Sequence, residues 1–232
     1  MLQNAETFRG YALGASDGEI GKVTDLYFDD ETWTVRYFVV KTGNWLGDRH
    51  VLVTPRRIGR AQPDRKVLNA NLTRAEVKAS PRAESDRPVS ECMDVLYSPY
   101  HFWPPAYELE GCGDDADVHL RSMEEVEGYA VAATDGNIGH VAGFIVEDTD
   151  WLIRYLLVDT RNLWPGKHVL MSPEWVEEID WNVRWVRVNL SREVIKDSPE
   201  FDRDAAVTRE YESDLCHFYD REGYWTREPC SD

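Results

Sequence analysis

The 232-residue sequence predicts a mainly β protein: two tandem small antiparallel β-barrels, each followed by a short helix and an aromatic-rich tail. An internal repeat is the first ground. Gly10-Tyr-Ala-Leu-Gly-Ala-Ser-Asp-Gly-Glu-Ile-Gly-Lys-Val23 returns as Gly128-Tyr-Ala-Val-Ala-Ala-Thr-Asp-Gly-Asn-Ile-Gly-His-Val141, an offset of 118. From Gly10 to Pro55 the offset holds without insertion, and 20 of 46 aligned positions are identical. Further on, Asn71-Leu72 and Ser80-Pro81 return as Asn189-Leu190 and Ser198-Pro199. Two copies of a unit this long are tandem domains, whereas a solenoid repeats units of about 20–45 residues. Short β-rich runs at turn spacing are the second ground, and they argue a small barrel over a helical fold. The third is composition: 42% hydrophobic and 12% aromatic residues can bury a core.

In the first copy, Phe8 to Ala12 reads as a short strand and Ala15-Ser-Asp-Gly18 as a turn. Asp there can bond its own backbone, and Gly accepts positive φ without steric cost. Ile20 to Phe28 is a strand, Asp29 to Thr32 a polar turn, and Trp33 to Lys41 a second strand of the same hairpin. Its alternation sets Trp33, Val35, Tyr37 and Val39 on one face, with Thr34, Arg36 and Phe38 on the other. Thr42 to Asp48 is a loop with Trp45-Leu46 near its tip. His50 to Val53 is a strand stopped by Pro55, Ile58 starts another, and Lys66 to Asn71 is the last. Thr73-Arg-Ala-Glu76 is a capping box that opens a short helix, ended by Ser80-Pro81. In the second copy Ser191 caps the equivalent helix, with Val194 in place of the reciprocal Glu. The expected organisation is a first barrel over residues 1–81, an aromatic and Pro-rich linker over 82–121, a second barrel over 122–199 and a tail over 200–232.

Formal net charge is −17, shared unequally: residues 1–118 carry 19 acids and 14 bases, the remainder 24 and 12. An acidic chain repels phosphate backbones and anionic lipid, which argues against nucleic acid and membrane surfaces as partners. The first eight residues show no signal peptide and no apolar run is long enough to span a bilayer, so a cytoplasmic protein is expected. Cys92, Cys112, Cys216 and Cys230 lie outside the repeated core without any C-x-x-C spacing. Free thiols fit a cytoplasmic chain; local Cys92–Cys112 and Cys216–Cys230 bridges are the alternative.

The pattern Asp17-Gly-x-Ile20-Gly21-x-Val23, repeated as Asp135-Gly136-x-Ile138-Gly139-x-Val141 and followed by a strand, an acidic turn and an aromatic strand with Arg-Tyr, resembles the PRC-barrel domain family. The similarity covers roughly residues 6–80 and 124–198. Family members include the cytoplasmic domain of the photosynthetic reaction-centre H subunit and the C-terminal domain of a ribosome-maturation factor. What the resemblance implies is a β-barrel used as an assembly or interaction module. Asp17, Gly18, Gly21, Asp135, Gly136 and Gly139 are its structural motif residues.

No nucleophile elbow, zinc-binding helix, phosphate loop or dinucleotide fingerprint occurs, so the reading is a non-enzymatic interaction module with no cofactor and no metal. The protein partner is unidentified; association into a homo-oligomer, or of the two barrels about a pseudo-twofold axis, is the expected arrangement. Candidate contact residues are the loop-tip pairs Trp45-Leu46 and Leu163-Trp164, the repeated Arg36 and Arg154, and the basic Arg56 and Arg57, in a stretch whose second-copy counterpart includes Glu174, Glu177, Glu178 and Asp180. Tyr100, Trp103, Phe218 and Trp225 of the aromatic tails complete the set. The loop-tip pairs fit a contact surface or a loop folded over the barrel mouth equally well. The alternative reading is a stress-response protein binding a small anion or a metal near Arg36/Arg154 or His50/His168. A nucleic-acid role through the Arg56 patch ranks third.

Overall fold

The computed structural model describes residues 1–62, 65–80, 83, 119–161 and 166–226. In the first copy the strands are β1 (Leu2–Asn4), β2 (Ala12–Ala15), β3 (Gly18–Asp29), β4 (Thr34–Thr42), β5 (His50–Val53), β6 (Ile58–Gln62) and β7 (Val67–Ala70). In the second they are β8 (Leu120–Ser122), β9 (Ala130–Ala133), β10 (Gly136–Glu147), β11 (Ile153–Asp159), β12 (His168–Met171), β13 (Val176–Asp180) and β14 (Trp185–Val188). Short helices Arg74–Ala79 and Arg192–Asp197 follow the two sets, and helix Arg209–Phe218 lies in the C-terminal tail.

The expected closed antiparallel barrels do not form. Each copy gives an open, mixed sheet: the first runs β5-β4-β3-β2-β7-β6 and the second β12-β11-β10-β9-β14-β13. Within them β2 pairs with β7, and β9 with β14, in parallel. The end strands β5 and β6 are not paired to each other, nor are β12 and β13. At each seam the chain passes from one edge to the other through a 3-10 turn begun by Pro55 or Pro173. Proline has no N–H to give to a ladder, and edge strands of four or five residues have few bonds with which to close the gap.

Each sheet takes a strand from the other copy. β1 pairs antiparallel with β10, Leu2 opposite Glu147 and Asn4 opposite Ile145. β8 pairs antiparallel with β3, Leu120 opposite Asp29 and Ser122 opposite Tyr27. These two strands are equivalent under the 118-residue offset, so the exchange is reciprocal. Between them Thr34 and Leu152, themselves an equivalent pair, form an isolated antiparallel bridge. Val35 N–H donates to the Trp151 carbonyl and Ile153 N–H to the Trp33 carbonyl, both at 2.8 Å. Trp33 and Trp151 both have left-handed backbones, φ 54° and 61°, a conformation a bulky residue adopts only when its surroundings enforce it. Here it turns each carbonyl towards the opposite copy. One apolar core spans the exchange: Phe8 and Phe38 of the first copy pack on the Trp151 ring at 5.4 and 4.8 Å, and Phe28 on Phe144 at 5.5 Å.

Two β-bulges in each of the β3–β4 and β10–β11 pairings alter the expected facing. Tyr27 is opposite Tyr37 but Phe28 is opposite Val35, which leaves Arg36 as the extra residue. Val35 therefore joins Phe38 and Val40 in the shared core, while Tyr37 and Val39 face a separate cluster with Tyr27, Leu52, Ala83 and Leu120. In the second copy the same shift, Ile145 opposite Tyr155 and Val146 opposite Ile153, makes Arg154 the bulged residue. An arginine in a strand of apolar neighbours is thus the residue that the bulge turns outward.

The repeated Asp-Gly-x-Ile-Gly stretch is structural at each position. Asp17 Oδ1 accepts the Arg74 N–H at the start of the first helix, 2.9 Å, and Asp135 Oδ1 accepts the Arg192 N–H, 2.8 Å. Thr73 and Glu76 complete the reciprocal capping box, and in the second copy Ser191 caps Val194. Gly18 and Gly136 sit at φ 143° and 141°. Gly21 and Gly139 pass so close to the neighbouring strand that an added Cβ would lie 2.1 Å from the Lys41 carbonyl oxygen and 1.8 Å from that of Asp159. Gly21→Ala and Gly139→Ala should each destabilise the protein by roughly 3 kcal/mol or more, since backbone has to move. Gly14→Ala, with its nearest atom at 3.6 Å and alanine already at the equivalent position 132, should be nearly neutral. Urea unfolding of the three variants checks the contrast.

Candidate interaction surface

The candidate contact residues fall in different settings. Trp45 and Leu46 are half-buried against the core; the Trp45 indole N–H donates to the Ile20 carbonyl at 2.7 Å, and the Arg74 guanidinium lies over its ring at 5.1 Å. Arg36 pairs with Asp29 at 2.9 Å. Arg154 pairs with Glu147 at 2.6 Å and Asp150 at 3.1 Å, and its guanidinium lies 3.9 Å over the Tyr224 ring. Arg56 and Arg57 are exposed in the 3-10 turn Pro55–Arg57. Phe218 is exposed beside Tyr219, and Trp225 is half-buried with the Arg209 guanidinium 4.2 Å over it. Tyr100, Trp103, Leu163 and Trp164, with Cys92, Cys112 and Cys230, lie outside the described residues; Cys216 is a free, buried thiol.

Nothing among the described residues supports the anion or metal alternative. No three His, Cys, Asp or Glu side chains gather as a metal site. His168 Nε2 is 3.7 Å from Asp159, and the carbonyls of His50 and His168 accept the amides of Ala83 and Phe201 at 3.1 and 2.9 Å. Burial of Glu212 is likewise structural: it accepts the Tyr155 hydroxyl at 2.9 Å and pairs with Arg209 at 3.0 Å, which fixes helix Arg209–Phe218 on the second sheet.

The surface that remains open follows from the unclosed seams. In the first copy a cleft of about 1020 Å³ lies between β4, the Pro55 turn and β6, and the Asp148–Trp151 turn of the other copy forms its far wall. Tyr37, Ile58, Ala61 and Trp151 give it apolar surface; Arg36, Arg56, Asp148 and Asp150 give it charge. The equivalent cleft of the second copy, about 410 Å³, is lined by Glu31, Glu177, Glu178, Trp33 and Trp181 among others. Its interior holds the buried Arg121, whose Nε is 2.8 Å from Asp30 and whose guanidinium lies 4.3 Å over the Trp181 ring. Arg121 corresponds to Gln3, which donates to Asp148 at 2.9 Å, so the two clefts differ by a cation as well as in size.

Polar groups at the joint between the copies escaped the sequence reading. Arg9 and Glu127 occupy equivalent positions and bond each other at 2.7 Å. Opposite charges at equivalent positions were a readable sign of a contact near a twofold axis. Asp25 is buried beside them: it accepts the Ser122 hydroxyl at 2.5 Å, the Leu26 amide at 2.8 Å and the Glu124 amide at 3.1 Å, with Arg9 Nη2 at 3.6 Å. Burial pushes Asp25 up to about 6, against the opposing pull of these donors, and burial also raises Glu127. A carboxyl whose folded value is raised contributes stability that is full below its unfolded value near 4 and lost as pH rises through about 6. Between pH 7 and pH 5 the protein should therefore gain roughly 1 kcal/mol from Asp25. Asp25→Asn should flatten that part of the slope in urea titrations at the two pH values; an unchanged slope would place the titration elsewhere.

The family model described as PRC-barrel domain matches residues 8–74. An uncharacterized protein of Deinococcus radiodurans is 37% identical over 85 residues, which is 36% of this chain and 30% of that relative. The chain thus spans less than a third of the curated relative it matches. Among the described residues no helix is long and apolar enough to cross a membrane. Residues 8–74 are thus similar to the PRC-barrel domain family, and the same sheet order recurs in the second copy, with both sheets open.

Proposed function

We propose that the protein is a non-enzymatic interaction or assembly module, built from two copies associated about a pseudo-twofold axis, and that its principal contact surface is the cleft at the first seam. The observation that carries this reading is the cleft itself: about 1020 Å³ with apolar lining and charges of both signs, beside β6, an edge strand whose outer side has no partner strand among the described residues. An unpaired edge offers backbone donors and acceptors in a row, and the aromatic and arginine side chains next to it are those that dominate binding energy at protein contacts. Reciprocal strand exchange and the paired Trp33 and Trp151 carbonyl contacts support the pseudo-twofold reading. Arg36 and Arg56 line the cleft, and Phe218 is an exposed aromatic that would extend the contact surface.

Immobilised full-length protein should capture a partner from a cell extract, and Ala61→Arg, which fills the cleft, should abolish capture. Arg56→Glu should weaken it, while Glu193→Ala on the exposed second helix leaves it intact. Thermal unfolding of each variant confirms that the fold is kept. Identical captured proteins with wild type and with both cleft variants would overturn the reading.

A further inference from the structure

The two edge strands at the seams carry opposite charge. β6 is flanked by exposed Arg56 and Arg57 on one side and exposed Arg65 and Lys66 on the other. β13, its equivalent, carries exposed Glu177 and Glu178 and ends at Asp180. Among the described residues each is paired on one side only, β6 with β7 and β13 with β14, and each is interrupted by a bulge at the same place. Strands of five residues with matching irregularity have matching shape. Two basic edges repel each other, as do two acidic edges, and that protects against indiscriminate edge pairing. A basic edge facing an acidic edge meets no such barrier. The rim of the cleft beside β13 adds Glu31 to Glu177 and Glu178, while deeper in it Arg121 pairs with Asp30 and covers the Trp181 ring and His119 bonds Asp30. The exposed carboxylates at that rim suit an arginine or lysine side chain.

We infer that the β6 edge of one molecule docks on the β13 edge and acidic cleft of a second copy of this chain. The contact is heterologous, since the two surfaces differ, so successive molecules add head to tail into a ring or an open filament. Steering between the edges is electrostatic and is screened by salt, because the charges sit at the rim. This rests on the proposed reading of the seams as contact surfaces and names the occupant of one of them.

Light scattering on full-length protein over a concentration series, at about 50 mM and 500 mM salt, tests it. Wild type should associate at low salt and dissociate at high salt. The double variants Arg56→Glu/Arg57→Glu and Glu177→Lys/Glu178→Lys should each weaken self-association by about tenfold or more. An equimolar mixture of the two should restore assembly, because every acidic edge again finds a basic one. All substituted residues are exposed, and thermal unfolding verifies that each variant is folded. A wild type that stays monomeric at low salt, or association indifferent to both reversals, overturns the second-copy assignment. That failure leaves the contact-surface reading standing if Ala61→Arg still abolishes capture of a partner, and the two failures are therefore separable.

Discussion

Neither sheet is complete within its own copy. β1 belongs to the second sheet and β8 to the first, and the only backbone bridge at the centre of the exchange is Thr34 to Leu152 among the described residues. That arrangement is held by Trp33 and Trp151, whose left-handed backbones cost of the order of 1–3 kcal/mol each. The cost is offset by a carbonyl hydrogen bond across the joint from each, and by ring packing: partly buried Trp33 stacks on Phe28, and buried Trp151 packs on Phe8 and Phe38. The main apolar cluster then contains residues of both copies, and the smaller one around Tyr27, Val39 and Leu52 also takes in Leu120 of the second copy.

Reciprocity at the joint explains sequence features that a single unit would leave obscure. Asp30 and Asp148 are identical in the two copies because each receives groups from the opposite exchanged strand: His119 and Arg121 in one case, the Met1 amino group and Gln3 in the other. Away from this shared chemistry the copies diverge. Asp25 corresponds to Gly143, so one side of the joint holds a buried carboxyl where the other has bare backbone. Gln3 corresponds to Arg121, and the cation fills the second cleft while the first stays wide. A duplicated fold thus presents two unlike surfaces at equivalent places, which is what a module needs if its contacts are to have direction.

Much of the local structure was legible. The capping box at Thr73 forms with both reciprocal bonds, and the second box lacks the Glu side chain as its sequence indicates. The hairpin of β3 and β4, the turn before Trp33 and the short helix after β7 follow from side-chain period and turn chemistry. Barrel closure was not legible. It depends on whether two edge strands meet across a gap, and local pattern fixes strands without fixing their distant neighbours. The facing of Val35 was misread for a related reason: simple alternation assumes no bulge, and a bulge at Arg36 moves every residue before it to the other face. Helix Arg209–Phe218 lay outside the repeat, although Tyr211, Leu215 and Tyr219 recur at helical spacing after the Thr208 cap; its docking rests on Leu215, Tyr219 and Glu212 against the second sheet.

The sequence by itself determined that there are two equivalent units, where the central hairpin and the helix caps lie, and which glycines and aspartates hold the turns. These depend on interactions between residues near one another along the chain. The expected Phe8–Ala12 strand is instead a 3-10 turn over Ala5–Phe8 followed by a strand over Ala12–Ala15. Only the tertiary structure decided that the units exchange strands, that their sheets stay open, and that Arg9, Asp25 and Glu127 meet at the joint. Such contacts join residues about a hundred positions apart, and their energies depend on burial and on the approach of backbone to backbone, which no local stretch of side chains encodes.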